Sequence, residues 1–216
     1  MGARNLGTVY GTLLNFRREF EAWAPKMNEA PYKAPPTQPV LYIKPANTWS
    51  VDGATIRVPA RAPQVEVGAT IAMVMDAPGR VGGYRLMNDL SLPHASFFRP
   101  PVKFKCLDGF LGIGDTLLPA GNEVDPSAFV VEVRVNGELQ QTVRFSGLVR
   151  DANELLADVS AFMTLGAGDA LMLGCDSLPA GGRPLAKVGD RIEISAPGLG
   201  TLTNTLVAEP DGAGAS

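Results

Sequence analysis

A single histidine, two cysteines and the absence of any long apolar run set the first limits on this chain of 216 residues. Any Ser-His or Cys-His catalysis would have to use His94, and no nucleophile-elbow sequence accompanies it. Cys106 and Cys175 match no zinc-ligand spacing, and a chain of this length needs no disulfide staple, so both are expected as reduced thiols. No stretch reaches the ~20 apolar residues of a membrane-spanning helix. The opening MGARNLGTVYG has no apolar secretory core, which points to a cytoplasmic protein. Charge excess is lacking as well. Nineteen Lys and Arg against 22 Asp and Glu leave a net −3 with the signs interspersed, which is no footprint for nucleic acid.

What is present reads as mainly β structure in one domain over residues 1–216. Apolar alternation bounded by Gly, Pro or Asp marks strands at Thr8–Leu14, Val40–Lys44, Thr55–Val58, Thr70–Met75, Tyr84–Leu90 and Gly114–Leu118. Later strands follow at Ala170–Leu173, Arg191–Ser195 and Leu199–Val207. Phe129–Val135 and Leu139–Phe145 flank Asn136-Gly137, the signature of a two-residue hairpin. Two short helices are expected. Phe16–Ala24 sets Phe16, Phe20 and Trp23 on one face with Arg17, Arg18, Glu19 and Glu21 on the wet side, and Pro25 stops it. Asp151 with Glu154 resembles a capping box, opening an amphipathic helix toward Leu165 that carries Leu155, Leu156, Val159, Phe162 and Met163. Within residues 1–50, the Pro-rich connector from Met27 to Thr37 is a possible lid, and 209–216 reads as a disordered tail.

The stretch Gly83–Phe110 holds the densest run of polar residues without a local structural role. Asn88 and Asp89 close an apolar-alternating strand, where binding groups gather. Arg99, Lys103 and Lys105 lie around Pro100 and Pro101, which are read as holding the chain extended, so that Lys103 and Lys105 project to one side. One carboxylate and two or three cations can then converge. The plain alternative is a solvated loop with scattered charge. Cys106 borders these cations, which could lower its pKa, although a buried filler is the commoner role for a lone thiol.

The order G-Y-x-x-x-N-D-x-S followed by F-x-R-P-x-x-K-x-K-x-x-D-x-F resembles the core signature of the fumarylacetoacetate hydrolase family. Pro31-Tyr32-Lys33-Ala34-Pro35-Pro36 and Tyr42-Ile43-Lys44-Pro45-Ala46-Asn47-Thr48 resemble the N-terminal half in its decarboxylase/isomerase branch of 4-hydroxyphenylacetate (homoprotocatechuate) degradation. The resemblance runs from about Gly7 to Val207 and implies a mixed β-roll. It also implies an oligomer with a homologous second subunit. The implied activity is decarboxylation of 5-oxopent-3-ene-1,2,5-tricarboxylate and isomerisation of 2-hydroxyhepta-2,4-dienedioate. Mg2+ or Mn2+ would chelate the oxo-acid end and stabilise the enolate.

By the same resemblance Lys105, Asp89 and Glu19 are the catalytic candidates, and Lys44, Arg99, Lys103 and Cys175 the substrate-binding ones. Three departures stand out. Active relatives read E-x-E-L-A-x-x-I-G where this chain reads Gly68-Ala69-Thr70-Ile71-Ala72-Met73-Val74-Met75-Asp76, so only Asp89 of the metal ligands remains. Glu66 lies two residues earlier, but sliding the register to use it would break the apolar alternation. Magnesium should therefore bind weakly or not at all, and glutamates at 68 and 70 would restore a three-carboxylate set. In N-Y-x-x-H, Glu19 stands where the histidine would be, and in G-D-x-I-x-T-G-T-P, Cys175 stands for the carboxylate-binding threonine. Two further functions stay open beside the enzyme half: a silent structural partner of a metal-bearing homologue, and a dicarboxylate-binding module.

Overall fold

The computed structural model describes residues 6–94, 96, 98 and 101–210. Arg99 and most of the expected tail, 211–216, lie outside the described residues. The fold is mostly β, built on two large sheets. The larger sheet comprises β1 (Val9–Leu13), β2 (Val40–Lys44), β3 (Trp49–Val51), β6 (Ala69–Ala77), β7 (Arg80–Asp89), β8 (Leu111–Ile113), β9 (Leu118–Pro119) and β12 (Ala170–Met172). Its order is β2-β1-β12-β6-β7-β8-β3, with β9 also paired to β7. The second comprises β4 (Thr55–Val58), β10 (Val130–Val135), β11 (Glu138–Arg144), β14 (Arg191–Ala196) and β15 (Gly200–Ala208), in the order β11-β10-β14-β15-β4. A short pair, β5 (Val65–Glu66) with β13 (Leu185–Ala186), completes it. Both large sheets are mixed, since β1 runs parallel to β12 and β15 parallel to β4.

Strand alternation divides the core in two. Ile71, Met73 and Met75 of β6 point into the larger apolar cluster, which also takes side chains from β10, β14 and β15. Ala72 and Val74 point into a second cluster with Val9, Leu13, Tyr42 and Met87. Thr70 precedes Ala72 in that alternation and Asp89 follows Met87. Both polar residues therefore belong to the second face.

Among the described residues there are three α-helices where two were expected: α1 (Arg17–Trp23), α2 (Val102–Lys105) and α3 (Ala152–Ser160). In α3 the Asp151 carboxylate accepts from the N–H groups of Asn153 and Glu154, and the Glu154 side chain accepts from the Asp151 N–H, a complete capping box. The helix stops at Ser160, short of Leu165. Leu155 and Val159 are fully buried, Leu156 is half-buried, and Phe162 is exposed beyond the end. The Asn136-Gly137 turn joins β10 to β11 with φ of 53° and 84°, the left-handed pair that this two-residue loop needs. Gly114–Leu118 is not one strand; pairing falls on β8 and β9 at either side of it.

The expectation that Pro100 and Pro101 keep the next residues extended is corrected. Pro101 opens α2, and its carbonyl accepts the N–H groups of Phe104 and Lys105. Proline is tolerated at a helix start because the N–H it lacks would have no partner there. A helical turn separates Lys103 and Lys105: Lys103 is exposed and Lys105 fully buried. The connector over 27–37 contacts the loop after β7, with the Tyr32 ring 5.9 Å from that of Phe98 and its hydroxyl 3.0 Å from Ser96 Oγ.

Candidate functional site

β2 places Tyr42 and Lys44 two residues apart on one face, and β7 ends at Asp89 beside them. α2 brings in Lys105. Its Nζ lies 2.6 Å from Asp89 Oδ2, which also accepts the Tyr42 hydroxyl. Lys44 Nζ lies 2.8 Å from Oδ1. That ammonium also donates to the carbonyls of Leu90, Lys105 and Phe110 at 3.1, 2.5 and 2.8 Å. Three carbonyls match the three donors of an ammonium, so the contact with Asp89 is chiefly one of charge. The Cys175 thiol approaches Asp89 Oδ2 at 4.0 Å, and Lys105 Nζ sits 5.0 Å above the Tyr42 ring.

Lys44, Asp89 and Lys105 have no exposed surface. Burial opposes ionisation of Asp89, yet Lys105 and Lys44 outweigh it and hold the carboxyl well below its usual range. Burial outweighs the pull of Asp89 on Lys44 and lowers that ammonium to about 8. The Tyr42 phenol is raised by burial and by Asp89, and burial pushes the Cys175 thiol up to about 12. Charged Asp89 and neutral Tyr42 and Cys175 follow at neutral pH.

Glu19 occupies a different setting. It was expected on the wet side of α1, but it is the one buried residue of that helix. Its Oε2 accepts the Leu14 N–H at 3.1 Å and its Oε1 accepts from Arg183 at 3.0 Å. Burial works against the Arg183 guanidinium, but the carboxylates of Glu19 and Asp89 keep it firmly charged. The Glu19–Arg183 pair lines a cleft of about 210 Å³ with Trp23, Lys26, Glu66 and His94. The His94 ring stacks on Phe104 at 4.7 Å between centroids.

The metal-ligand positions are filled by backbone and neutral groups. A Cβ built on Gly68 would lie 2.2 Å from the Asp89 carbonyl oxygen and 3.1 Å from Cys175 Sγ. The Thr70 hydroxyl donates to the Gly174 carbonyl at 2.6 Å. Pairing of Thr70 with Met87 and donation of the Asp89 N–H to the Gly68 carbonyl at 2.8 Å fix this register. Glu66 is half-buried and faces the Glu19 cleft. Among the described residues no three His, Cys, Asp or Glu side chains gather as a metal-binding group.

Of the expected site residues, the structure thus gathers Asp89, Lys105, Lys44 and Cys175, pairs Glu19 with Arg183, whose charge also acts on Asp89, and leaves Lys103 on the surface. Lys44 was expected as a substrate cation; its three donors serve backbone carbonyls instead, which makes it an internal brace. Sequence reasoning missed Tyr42 and Arg183. Tyr42 could have been found from its spacing to Lys44, since residues two apart on a strand share a face. Arg183 follows Gly181-Gly182 in a loop and carries no such signal.

The model of the fumarylacetoacetate (FAA) hydrolase C-terminal family matches residues 8–207. The chain belongs to the fumarylacetoacetate hydrolase family. Within it, the chain is 38% identical over 213 residues to the 4-hydroxyphenylacetate degradation bifunctional isomerase/decarboxylase of Escherichia coli, a match covering 94% of this chain and 48% of that protein. It therefore spans about half the length of such curated relatives. The oxaloacetate tautomerase YisK of Bacillus subtilis is 34% identical over 139 residues, covering 61% of this chain and 45% of the relative. Among solved structures, the 5-carboxymethyl-2-hydroxymuconate delta-isomerase from Mycobacterium smegmatis superposes with a TM-score of 0.75 at 26% identity, over 95% of this chain and 80% of the other. These family relatives are isomerases, tautomerases and decarboxylases. No helix is long and apolar enough to cross a membrane among the described residues.

Proposed function

We propose that this chain is the metal-free half of an isomerase/decarboxylase assembly of 4-hydroxyphenylacetate degradation, and that it supports a homologous metal-bearing half. The assembly acts on the substrates that the resemblance implies, the 5-oxopent-3-ene-1,2,5-tricarboxylate and 2-hydroxyhepta-2,4-dienedioate skeletons. The observation that carries this reading is the closure of Asp89: one oxygen takes Tyr42 and Lys105, the other faces Lys44, and none of the four side chains opens to a cleft that also holds Gly68 and Thr70. These residues do not fit a divalent cation. Magnesium and manganese need several free oxygen ligands, whereas here one carboxylate is already balanced by two ammonium groups. No proton or electron-pair step is assigned to Asp89 or Lys105, because each would have to break a buried ion pair to reach a substrate.

A second reading is favoured by the Glu19–Arg183 cleft. Its guanidinium suits a substrate carboxylate, and its glutamate, like the Glu66 carboxylate nearby, suits a proton or a donor group on the same molecule. The two readings separate in one experiment. The purified chain is assayed for decarboxylation and isomerisation alone and together with the homologous chain that carries Glu-x-Glu, with magnesium titration calorimetry on each. Support for the metal-free half is turnover only in the mixture and no magnesium heat from this chain. Full turnover by this chain alone overturns it.

A further inference from the structure

Among the described residues, the outer strands of the two large sheets mostly carry charged side chains or are short, and β2 departs from both. At the edges of the five-stranded sheet, β11 exposes Leu139 between the polar and charged Glu138, Gln140 and Arg144, and β4 exposes Thr55 and Arg57. The charged ones discourage pairing with another chain. In the larger sheet the β3 edge is only three residues long. The opposite edge, β2, has five residues; its one cation, Lys44, points inward, and its one exposed side chain is Ile43. Beside β2 lies a groove of about 530 Å³ that runs to α2, and none of its ten lining residues is charged.

Ile43, Phe98 and Val102 line that groove at 51%, 53% and 63% exposure. They are three of the eight large apolar side chains exposed among the described residues, and they share one groove. The match covers 48% of the Escherichia coli relative, so that relative carries a further segment about as long as this chain. The described lining residues offer apolar surface and no charge, which suits a partner that presents an apolar face.

Building on the metal-free-half reading, we propose that the β2–α2 groove is the docking face for the homologous metal-bearing half. Ile43, Phe98 and Val102 are the anchors, and the β2 edge sets the orientation. Cys106 lines the same groove, half-buried, with its thiol 3.3 Å from the Ile43 carbonyl, whereas Cys175 is buried. A thiol reagent therefore reports on Cys106.

The test co-expresses this chain with a homologous chain that carries Glu-x-Glu, and measures mass in solution, affinity, and maleimide labelling of Cys106. Ile43→Glu and Val102→Glu, singly and together, alter surface positions; thermal melting checks that each variant is folded. The expected result is a complex that slows Cys106 labelling at least tenfold in the wild type, with affinity at least tenfold weaker in the folded double variant. Should the double variant fail to fold, the protection of Cys106 in the wild-type complex decides. A complex whose affinity and Cys106 labelling ignore this face overturns the surface and leaves the functional reading standing. A homodimer with the same sensitivity overturns the choice of occupant. No association at all overturns both.

Discussion

Asp89 is held by two ammonium groups and a phenol, whereas Glu19 is held by one guanidinium and one backbone N–H. Both carboxylates are buried, but only Glu19 borders a cleft. The difference lies in what surrounds the ions. Around Asp89, three carbonyls from the chain after β7, α2 and the approach to β8 satisfy Lys44, so the ion cluster ties those segments to β2. Around Glu19, the partners come from the link between β1 and α1 and from the loop before β13, and the space beyond them stays open. A buried carboxylate enclosed by two ammonium groups and a phenol holds a fold together; one whose guanidinium partner lines an open cleft can meet a ligand.

The sharpest way to break this contrast is to remove each carboxylate. Asp89→Ala leaves two ammonium groups buried with no opposing charge, and the loss expected on breaking a buried pair is ~3–5 kcal/mol in urea unfolding. Glu19→Gln keeps an acceptor for the Leu14 N–H and leaves Arg183 beside a cleft that water can enter, so the loss should be smaller, ~1–3 kcal/mol. Equal losses would erase the distinction between brace and ligand-facing pair. Acid provides a second handle. Because the folded Asp89 carboxyl lies below its unfolded value, its contribution is present above the unfolded pKa of ~3.9 and fades as pH falls below it. Lys44, lowered to about 8, works on the other side. The unfolded chain holds that proton more tightly, so this group makes stability rise as pH climbs from about 8 toward ~10.4. Unfolding titrations of Asp89→Asn and Lys44→Met should each lose their own limb of the profile.

Gly68 sharpens the comparison from the metal side. Restoring glutamate at positions 68 and 70 was expected to rebuild a ligand set, but a Cβ at Gly68 would lie 2.2 Å from the Asp89 carbonyl oxygen. Something in the β6–β7 backbone must move. Gly68→Ala alone should cost ~1–3 kcal/mol, and Gly68→Glu/Thr70→Glu should show no tight magnesium binding by calorimetry. A folded double variant that binds magnesium tightly would mean that the Asp89 cluster opens easily.

Local chemistry was legible in the sequence wherever it fixes backbone shape by itself. Asn136-Gly137 defines its turn, Asp151 and Glu154 define the start of α3, and the alternation in Val40–Lys44 and Thr55–Val58 defines those strands to the residue. Proximity of Asp89 and Lys105 came from the family motif. What stayed hidden depends on contacts distant in sequence. The burial of Glu19 needs Arg183, 164 residues away. The role of Lys44 needs carbonyls 46 to 66 residues away. Helical alternation put Glu19 with its exposed neighbours because it cannot represent a guanidinium arriving from another element.

The smallest expected effect tests the corrected reading of α2. Lys103 and Lys105 were expected to share a face because Pro100 and Pro101 suggested extended chain, and side chains two apart on a strand point the same way. On a helix, two residues are separated by about 200° of rotation, so Lys105 turns in to Asp89 while Lys103 turns out to water. Lys103→Ala removes an exposed cation with no role in the ion cluster, and its effect on unfolding free energy should stay within ~0.5 kcal/mol. Activity of the assembled enzyme should be unchanged within error. Lys105→Ala, made alongside, removes the ion-pair partner 2.6 Å from Asp89 and should destabilise far more. If the two substitutions behaved alike, α2 would not be presenting its lysines to opposite environments, and Asp89 would have to be balanced by Lys44 alone.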